Sequence, residues 1–97
     1  MKAYATWFST DKLVCVVFAA SADRAKAVHV LAALDAGWIA SGNQGFPFVR
    51  ARRVPTLDRH ANDSKPGRAY SPSWFEENAE AHCREVMDRE NQKEGEQ

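Results

Sequence analysis

Arginine recurs at alternate positions near the middle of the chain, at Arg50 and Arg52, with Phe48 in the same row. On an extended strand, residues two apart share a face, so these three side chains would stand side by side. A guanidinium group offers paired donors to phosphates and carboxylates. A phenylalanine in the row can stack on a nucleobase. The polar stretch that follows adds Arg59, Lys65 and Arg68. Arg50, Arg52, Arg59, Lys65, Arg68 and Phe48 are therefore candidates for an anion- or nucleic-acid-binding surface. Charged rows also simply solubilise an edge strand, so the plainer reading of a solvated edge stands beside the functional one.

A second candidate surface is acidic. Glu76, Glu77, Glu80 and Glu85, with Asp88 beyond them, could hold a basic protein partner or imitate nucleic acid, although an exposed acidic helix face more often only confers solubility. The two surfaces are segregated along the chain. Residues 50–75 hold six basic and two acidic side chains, whereas residues 76–97 hold eight acidic and three basic ones. The formal net charge of zero thus hides a basic strand and loop followed by an acidic helix. It argues against a protein wholly devoted to nucleic acid, which is usually basic overall. These surfaces either bind something, remain solvated, or face each other.

Catalytic chemistry has little to work with. His29, His60 and His82 fall on three different predicted elements, and no Ser/His/Asp or Cys/His order is recognisable. Asp58-Arg59-His60 and Asn62-Asp63 place acids and bases close together, as many polar loops do. No catalytic residue is assigned. The cysteines, Cys15 and Cys83, are too far apart in sequence for a zinc pattern or a disulfide framework, and read as buried, reduced thiols. His82 and Cys83 diverge by about 100° on a helix and make a poor metal pair. The glycines around Asn43 form no phosphate cradle, lacking Gly-x-Gly-x-x-Gly and a following Lys-Ser or Lys-Thr. No metal and no cofactor is expected.

The elements that must position these residues are organised around residues 13–20, LVCVVFAA, an uncharged run rich in β-branched side chains. Such a run predicts a strand buried on both faces. Residues 2–9 predict an earlier strand, with Tyr4, Thr6 and Phe8 on one face and Ala3, Ala5 and Trp7 on the other. A polar connection at residues 9–12 joins them as a hairpin. Ser21 has the chemistry of a helix N-cap, and Asp23 suits the positive helix end. The helix is predicted over residues 22–36, ending at Gly37 as a left-handed residue. Its apolar face is expected at Ala27, Leu31 and Leu34 with Val28, which leaves His29 exposed to solvent.

Residues 46–54 predict the arginine strand, ended by Pro55 and lying at or near a sheet edge, with Arg53 reaching out to solvent or paired. Residues 56–70 form a long polar loop, and long loops are usually functional or loose. A last helix is expected from Ser71 or Ser73, where Ser73 and Glu76 have capping-box spacing. Its buried stripe is Phe75, Ala79, Cys83 and Val86, flanked by Trp74, His82 and Met87. From about Asp88 the chain lacks apolar residues, and residues 88–97 are expected to be a frayed or disordered tail. Residues 1–87 then make one small α+β domain in the order β-β-α-β-α, with a mainly antiparallel sheet and two helices packed on one face. An uncovered sheet face bearing Tyr4, Phe8 or Phe48 would point to a homodimer. There is no secretory signal and no apolar run near the ~20 residues a bilayer requires, so the expected setting is the cytoplasm.

The segment VRARRVPTLD, residues 49–58, resembles a stretch of the form I-R-V-R-R-V-P-E-L-D in small proteins of phages and prophages. Those proteins also open with a K-A-Y strand, continue with an apolar VVFA strand and pass into an alanine- and lysine-containing helix. The matching pieces here are Lys2-Ala3-Tyr4, Val16-Val17-Phe18-Ala19 and Ala25-Lys26-Ala27, with Ser73-Trp74-Phe75 similar as well. The resemblance covers about two thirds of the chain. The chain departs from it in a longer loop before Tyr70 and in its acidic tail. These proteins have no assigned activity, so what the resemblance implies is context: a mobile-element protein in a bacterial host. The expectation is a non-enzymatic accessory protein that binds a host protein or nucleoprotein complex, for instance to inhibit a defence system. The alternative is a nucleic-acid-binding accessory protein that uses the basic strand and loop.

Overall fold

The computed structural model describes residues 1–65 and 67–95. Strands β1 (Lys2–Phe8) and β2 (Val14–Ala19) form the expected hairpin, in register from Lys2 opposite Ala19 to Trp7 opposite Val14. Asp11 shapes the turn. Its backbone N–H donates to the Phe8 carbonyl at 3.1 Å and its carboxylate accepts from the Leu13 N–H at 2.9 Å, as Asx turns do. Helix α1 (Ala22–Ala36) follows. Ser21 Oγ caps it by accepting from the Arg24 N–H, and Gly37, at φ 78°, closes it. The Trp38 N–H then donates back to the Ala33 carbonyl, the expected closure of a left-handed C-cap.

β3 (Val49–Arg53) pairs antiparallel with β1, and a two-residue strand, β4 (Ala69–Tyr70), pairs antiparallel with β2. The sheet order is β3-β1-β2-β4, so the arginine strand does lie at an edge. The polar loop of residues 56–70 is more ordered than expected. It holds a 3-10 helix at Pro55–Asp63 and then β4. The last helix, α2 (Ala79–Gly95), begins later than its capping pattern implies, after a 3-10 turn at Pro72–Trp74. Glu76 does not close a capping box because its carboxylate is engaged with Arg59 and His60. Asp88 to Gly95, expected as a polar tail, are the final turns of α2. They are tied down by bonds from Trp7, Arg50 and Arg52 to Asn91, Glu94 and Glu90. Glu96 and Gln97 lie outside the described residues.

The α+β class and the order of the elements hold, but the two helices do not share a face. Ala3, Ala5, Trp7, Val16 and Phe18 pack on Ala79, Cys83 and Met87 of α2, with Val54 and Leu57 alongside. Tyr4 and Val17 pack on Ala25 of α1, and Phe8 packs on its Val30 and Ala33. The cause lies in β2, whose six residues are all buried. Both faces of the sheet need cover, and one helix serves each. Tyr4 and Phe8 are therefore buried, and the open apolar face that would have pointed to a homodimer is absent there. Cys15 and Cys83 are free and buried on opposite faces, and burial pushes both thiols up to about 11.

The buried side of α1 also differs from expectation. Ala25, His29, Val30 and Ala33 face the sheet, while Leu31 is 61 % exposed. His29 is 1 % exposed rather than solvated. Its Nδ1 shares a 2.7 Å hydrogen bond with the Thr6 hydroxyl, and its ring stands edge-on to Phe8 at 4.7 Å. A buried imidazole is tolerated when a polar neighbour meets it, and Thr6 on the central strand does so. Burial lowers the pKa of His29 to about 4, so it is neutral near pH 7.

Candidate functional site

The arginine row forms as a row, but carboxylates already occupy it. The β1–β3 register sets Arg50 opposite Trp7 and Arg52 opposite Ala5, which aims both at the face that α2 covers. Arg50 Nε meets Glu94 at 2.6 Å, and Arg52 Nε meets Glu90 at 3.3 Å, with Lys93 on the far side of Glu90. Arg53 makes a two-pronged contact with Asp58, both bonds at 2.7 Å, and also donates to the Ala3 carbonyl. Its guanidinium lies 5.6 Å from the centre of the Tyr4 ring. The hydrogen bond from Arg53, helped by the Ala3 N–H, holds the Asp58 carboxyl down at about 2. Arg59 is bonded to Glu76, which His60 also contacts at 3.2 Å. The basic strand and the acidic helix thus largely satisfy each other.

The acidic candidates are divided in the same way. Glu76 is held by Arg59 and His60, Glu80 contacts Arg84, and Glu85 contacts Arg89. Such exposed pairs on a helix are worth only about 0.3–0.5 kcal/mol each. Glu77 is exposed and makes no ion pair among the described residues. Phe48 is 39 % exposed beside the paired arginines.

Lys65 and Arg68 are placed differently. Neither has an ion-pair partner among the described residues, and both converge on Tyr70. The Lys65 N–H donates to the Tyr70 hydroxyl at 2.8 Å, and the Arg68 guanidinium lies 5.9 Å from the centre of its ring. Tyr70 in turn belongs to a series of rings. Phe18 in the core meets Phe75 at 5.3 Å, Phe75 meets Tyr70 at 5.2 Å, and Tyr70 meets Trp74 at 6.4 Å. Trp74, the outermost ring, is 73 % exposed.

The same end of the sheet holds an apolar cleft of about 410 Å³. β4 pairs only with Val16 and Val17, because Pro72 turns the chain away. The side of β2 at Val14 and Cys15 therefore has no neighbouring strand, and it forms part of the cleft. Leu13, Ala36, Trp38, Tyr70 and Glu80 line the rest. Leu13 and Trp38 are 44 % and 54 % exposed. A second hollow, lined by Leu31, Asp35 and Arg68, shares Ala32 and Ala69 with the cleft and extends it along α1.

Leu13, Leu31, Trp38 and Tyr70 are absent from the candidates suggested by sequence. Leu31 is hidden from that reading because it resembles a core residue of α1, and Trp38 because it follows the helix stop. Only the spread of small and large apolar residues around α1, six alanines with Val28, Val30, Leu31 and Leu34, could have signalled that two faces were competing for burial. No group of three or more histidine, cysteine or acidic side chains suited to a metal occurs among the described residues, and none of their helices is long and apolar enough to cross a membrane. No protein-family model, no curated protein and no solved structure matches the chain.

Proposed function

We propose that this protein is a non-enzymatic binding protein, an accessory protein of the phage or prophage type, whose partner is a protein of the bacterial host cytoplasm. The observation that carries the reading is the apolar cleft at the β4 edge, with Leu13 and Trp38 exposed at its rim. Exposed large apolar side chains gathered about a groove mark interaction sites, and tryptophan is enriched where binding energy concentrates. Glu80, which also contacts Arg84, lines the cleft, and Asp35 lies with Arg68 in the adjoining hollow, so the fitting partner segment carries a bulky apolar side chain for the cleft with a lysine or arginine that can compete for Glu80. The resemblance of residues 49–58 to phage and prophage proteins supports the setting, and blocking a host defence complex is one concrete form of the activity.

The test is affinity capture from a bacterial lysate treated with nuclease, comparing the native chain with Trp38→Ala, Glu80→Lys and Arg52→Glu. The expected result is a discrete protein retained by the native chain and by Arg52→Glu but lost from Trp38→Ala and Glu80→Lys. Capture that nuclease abolishes, or that survives both cleft substitutions, refutes the reading.

A further inference from the structure

We propose that Trp74 and Tyr70, flanked by Lys65 and Arg68, form a stacking platform for the bases of single-stranded nucleic acid. This surface adjoins the cleft, shares Tyr70 with it, and is distinct from the arginine strand.

An exposed tryptophan on a loop is ordinarily free to turn. Here the ring series Phe18, Phe75, Tyr70, Trp74 runs from the sheet core to solvent, with centroid spacings of 5.3, 5.2 and 6.4 Å. Each ring is backed by one that is more deeply set. Pro72, which is buried, fixes the turn that carries Trp74. The outermost indole therefore sits beside Tyr70 at a 35° tilt and is 73 % exposed, which leaves ring surface on which a base can stack.

Arg50, Arg52, Arg53, Arg59, Arg84, Arg89 and Lys93 each contact a carboxylate. Lys65 and Arg68 make no such contact among the described residues, yet both are attached to Tyr70, one by a backbone hydrogen bond and the other over the ring. Their positive charge is available to a phosphate. Glu76 on that loop is held by Arg59 and His60, and Asp35, which lines a hollow together with Arg68, makes no ion pair with it. Rings that present a face, next to cations with no internal partner, suit a strand whose bases are unstacked. A duplex, whose bases are hidden, offers this platform nothing to stack on.

The test is fluorescence anisotropy with a fluorescein-labelled twelve-nucleotide oligothymidylate, at 50 and 200 mM NaCl. Binding is expected at 50 mM. Two phosphate contacts imply a salt slope near −1.4, so affinity falls about sevenfold between the two salt concentrations. Trp74→Ala should weaken binding by about fivefold or more, and Trp74→Phe should restore most of it. Lys65→Ala with Arg68→Ala should flatten the salt slope, whereas Arg52→Ala should leave binding unchanged. Trp74 is so exposed that its substitution leaves the fold intact, which circular dichroism checks. The platform is refuted if the oligonucleotide fails to bind at 50 mM, if Trp74→Ala binds it as well as the native chain, or if a duplex of the same length binds equally tightly. Loss of protein capture by Trp74→Ala, with oligonucleotide binding unchanged, would instead assign Trp74 to the protein-binding cleft. Trp38→Ala separates the two proposals, since it should abolish protein capture and spare the oligonucleotide.

Discussion

Acid should weaken this protein through His29. Its ring is 1 % exposed, between α1 and the centre of the sheet, and its Nδ1 is engaged with Thr6. The unfolded chain protonates this histidine with a pKa near 6.5, whereas burial holds it at about 4 in the folded protein. A group whose folded pKa is depressed leaves the unfolded state binding more protons between the two values. Stability is therefore fully present above pH 6.5 and declines as the pH falls towards 4. A gap of about 2.5 pKa units corresponds to roughly 3 kcal/mol, of which about 2.5 kcal/mol is lost by pH 4.5. For a domain with a total stability of about 5–15 kcal/mol, that is a large fraction. The assay is urea denaturation at pH 7.0, 5.5 and 4.5. The control is the double variant Thr6→Val with His29→Leu, which removes both hydrogen-bonding partners together and so leaves neither unsatisfied. The double variant should lack the His29 contribution to the pH dependence, and the difference between the two proteins isolates His29 from the remaining ionisable groups. Parallel pH profiles for the native chain and the double variant would refute the reasoning.

Other perturbations have definite signs. Asp58→Asn should cost about 1 kcal/mol at pH 7, because the Arg53 contact is strong in geometry but more than a third of the Asp58 side chain is exposed. The Asp58 contribution is present above the ordinary carboxylate pKa and is lost as the pH falls towards about 2, so the native and variant urea midpoints should converge in strong acid. Gly37→Ala should cost about 1–2 kcal/mol through its left-handed backbone alone, since a Cβ there meets nothing within 4 Å. Gly45→Ala should instead strain packing, as its Cβ would lie 2.8 Å from Ile39 Cδ1 and 3.1 Å from Val30 Cγ1; thermal melts of the two variants report both costs. Truncation after Met87 removes Glu90, Asn91 and Glu94, so it should lower stability and expose Arg50 and Arg52. The shortened chain should then gain salt-sensitive affinity for nucleic acid that the full chain lacks at that surface, as read by anisotropy.

Features specified locally were legible in the sequence, and features depending on distant partners were not. Ser21 and Gly37 mark both ends of α1 because capping is settled within a few residues. β2 announced its double burial through an unbroken apolar run, yet the two helices were expected on one face, whereas burial on both faces takes one helix on each. The inward side of α1 was not legible. Alanine fills a close helix–sheet contact as well at 25 and 33 as at 27, so alanine leaves the choice open. His29 looks like a solvent residue until Thr6, from another strand, is seen to meet it. The arginine row was recognisable by spacing, but its carboxylate partners Glu90 and Glu94 lie some forty residues further on, in a stretch whose composition resembles a tail. Trp38 and Leu31 were obscured for a related reason: hydrophobicity alone does not distinguish a core residue from an interface residue.

The sheet itself narrows where a partner can bind. With a helix on each face, only the two edges remain open, and the edges are finished differently. The β3 edge carries Arg50, Arg52 and Arg53, each paired within the chain, a charged finish of the kind that discourages edge-to-edge pairing. The β4 edge is two residues long, leaves Val14 and Cys15 without a neighbouring strand, and is bordered by Trp38 on one side and Trp74 on the other. Arg68, whose guanidinium lies over Tyr70, and Lys65, whose backbone N–H donates to the Tyr70 hydroxyl, lie at that same edge. Internal pairing thus quiets the arginines of one edge, and the apolar cleft with Lys65 and Arg68 lies at the other. The β4 edge thus offers two contacts, the cleft to an apolar and basic protein segment and the ring platform to an unpaired strand.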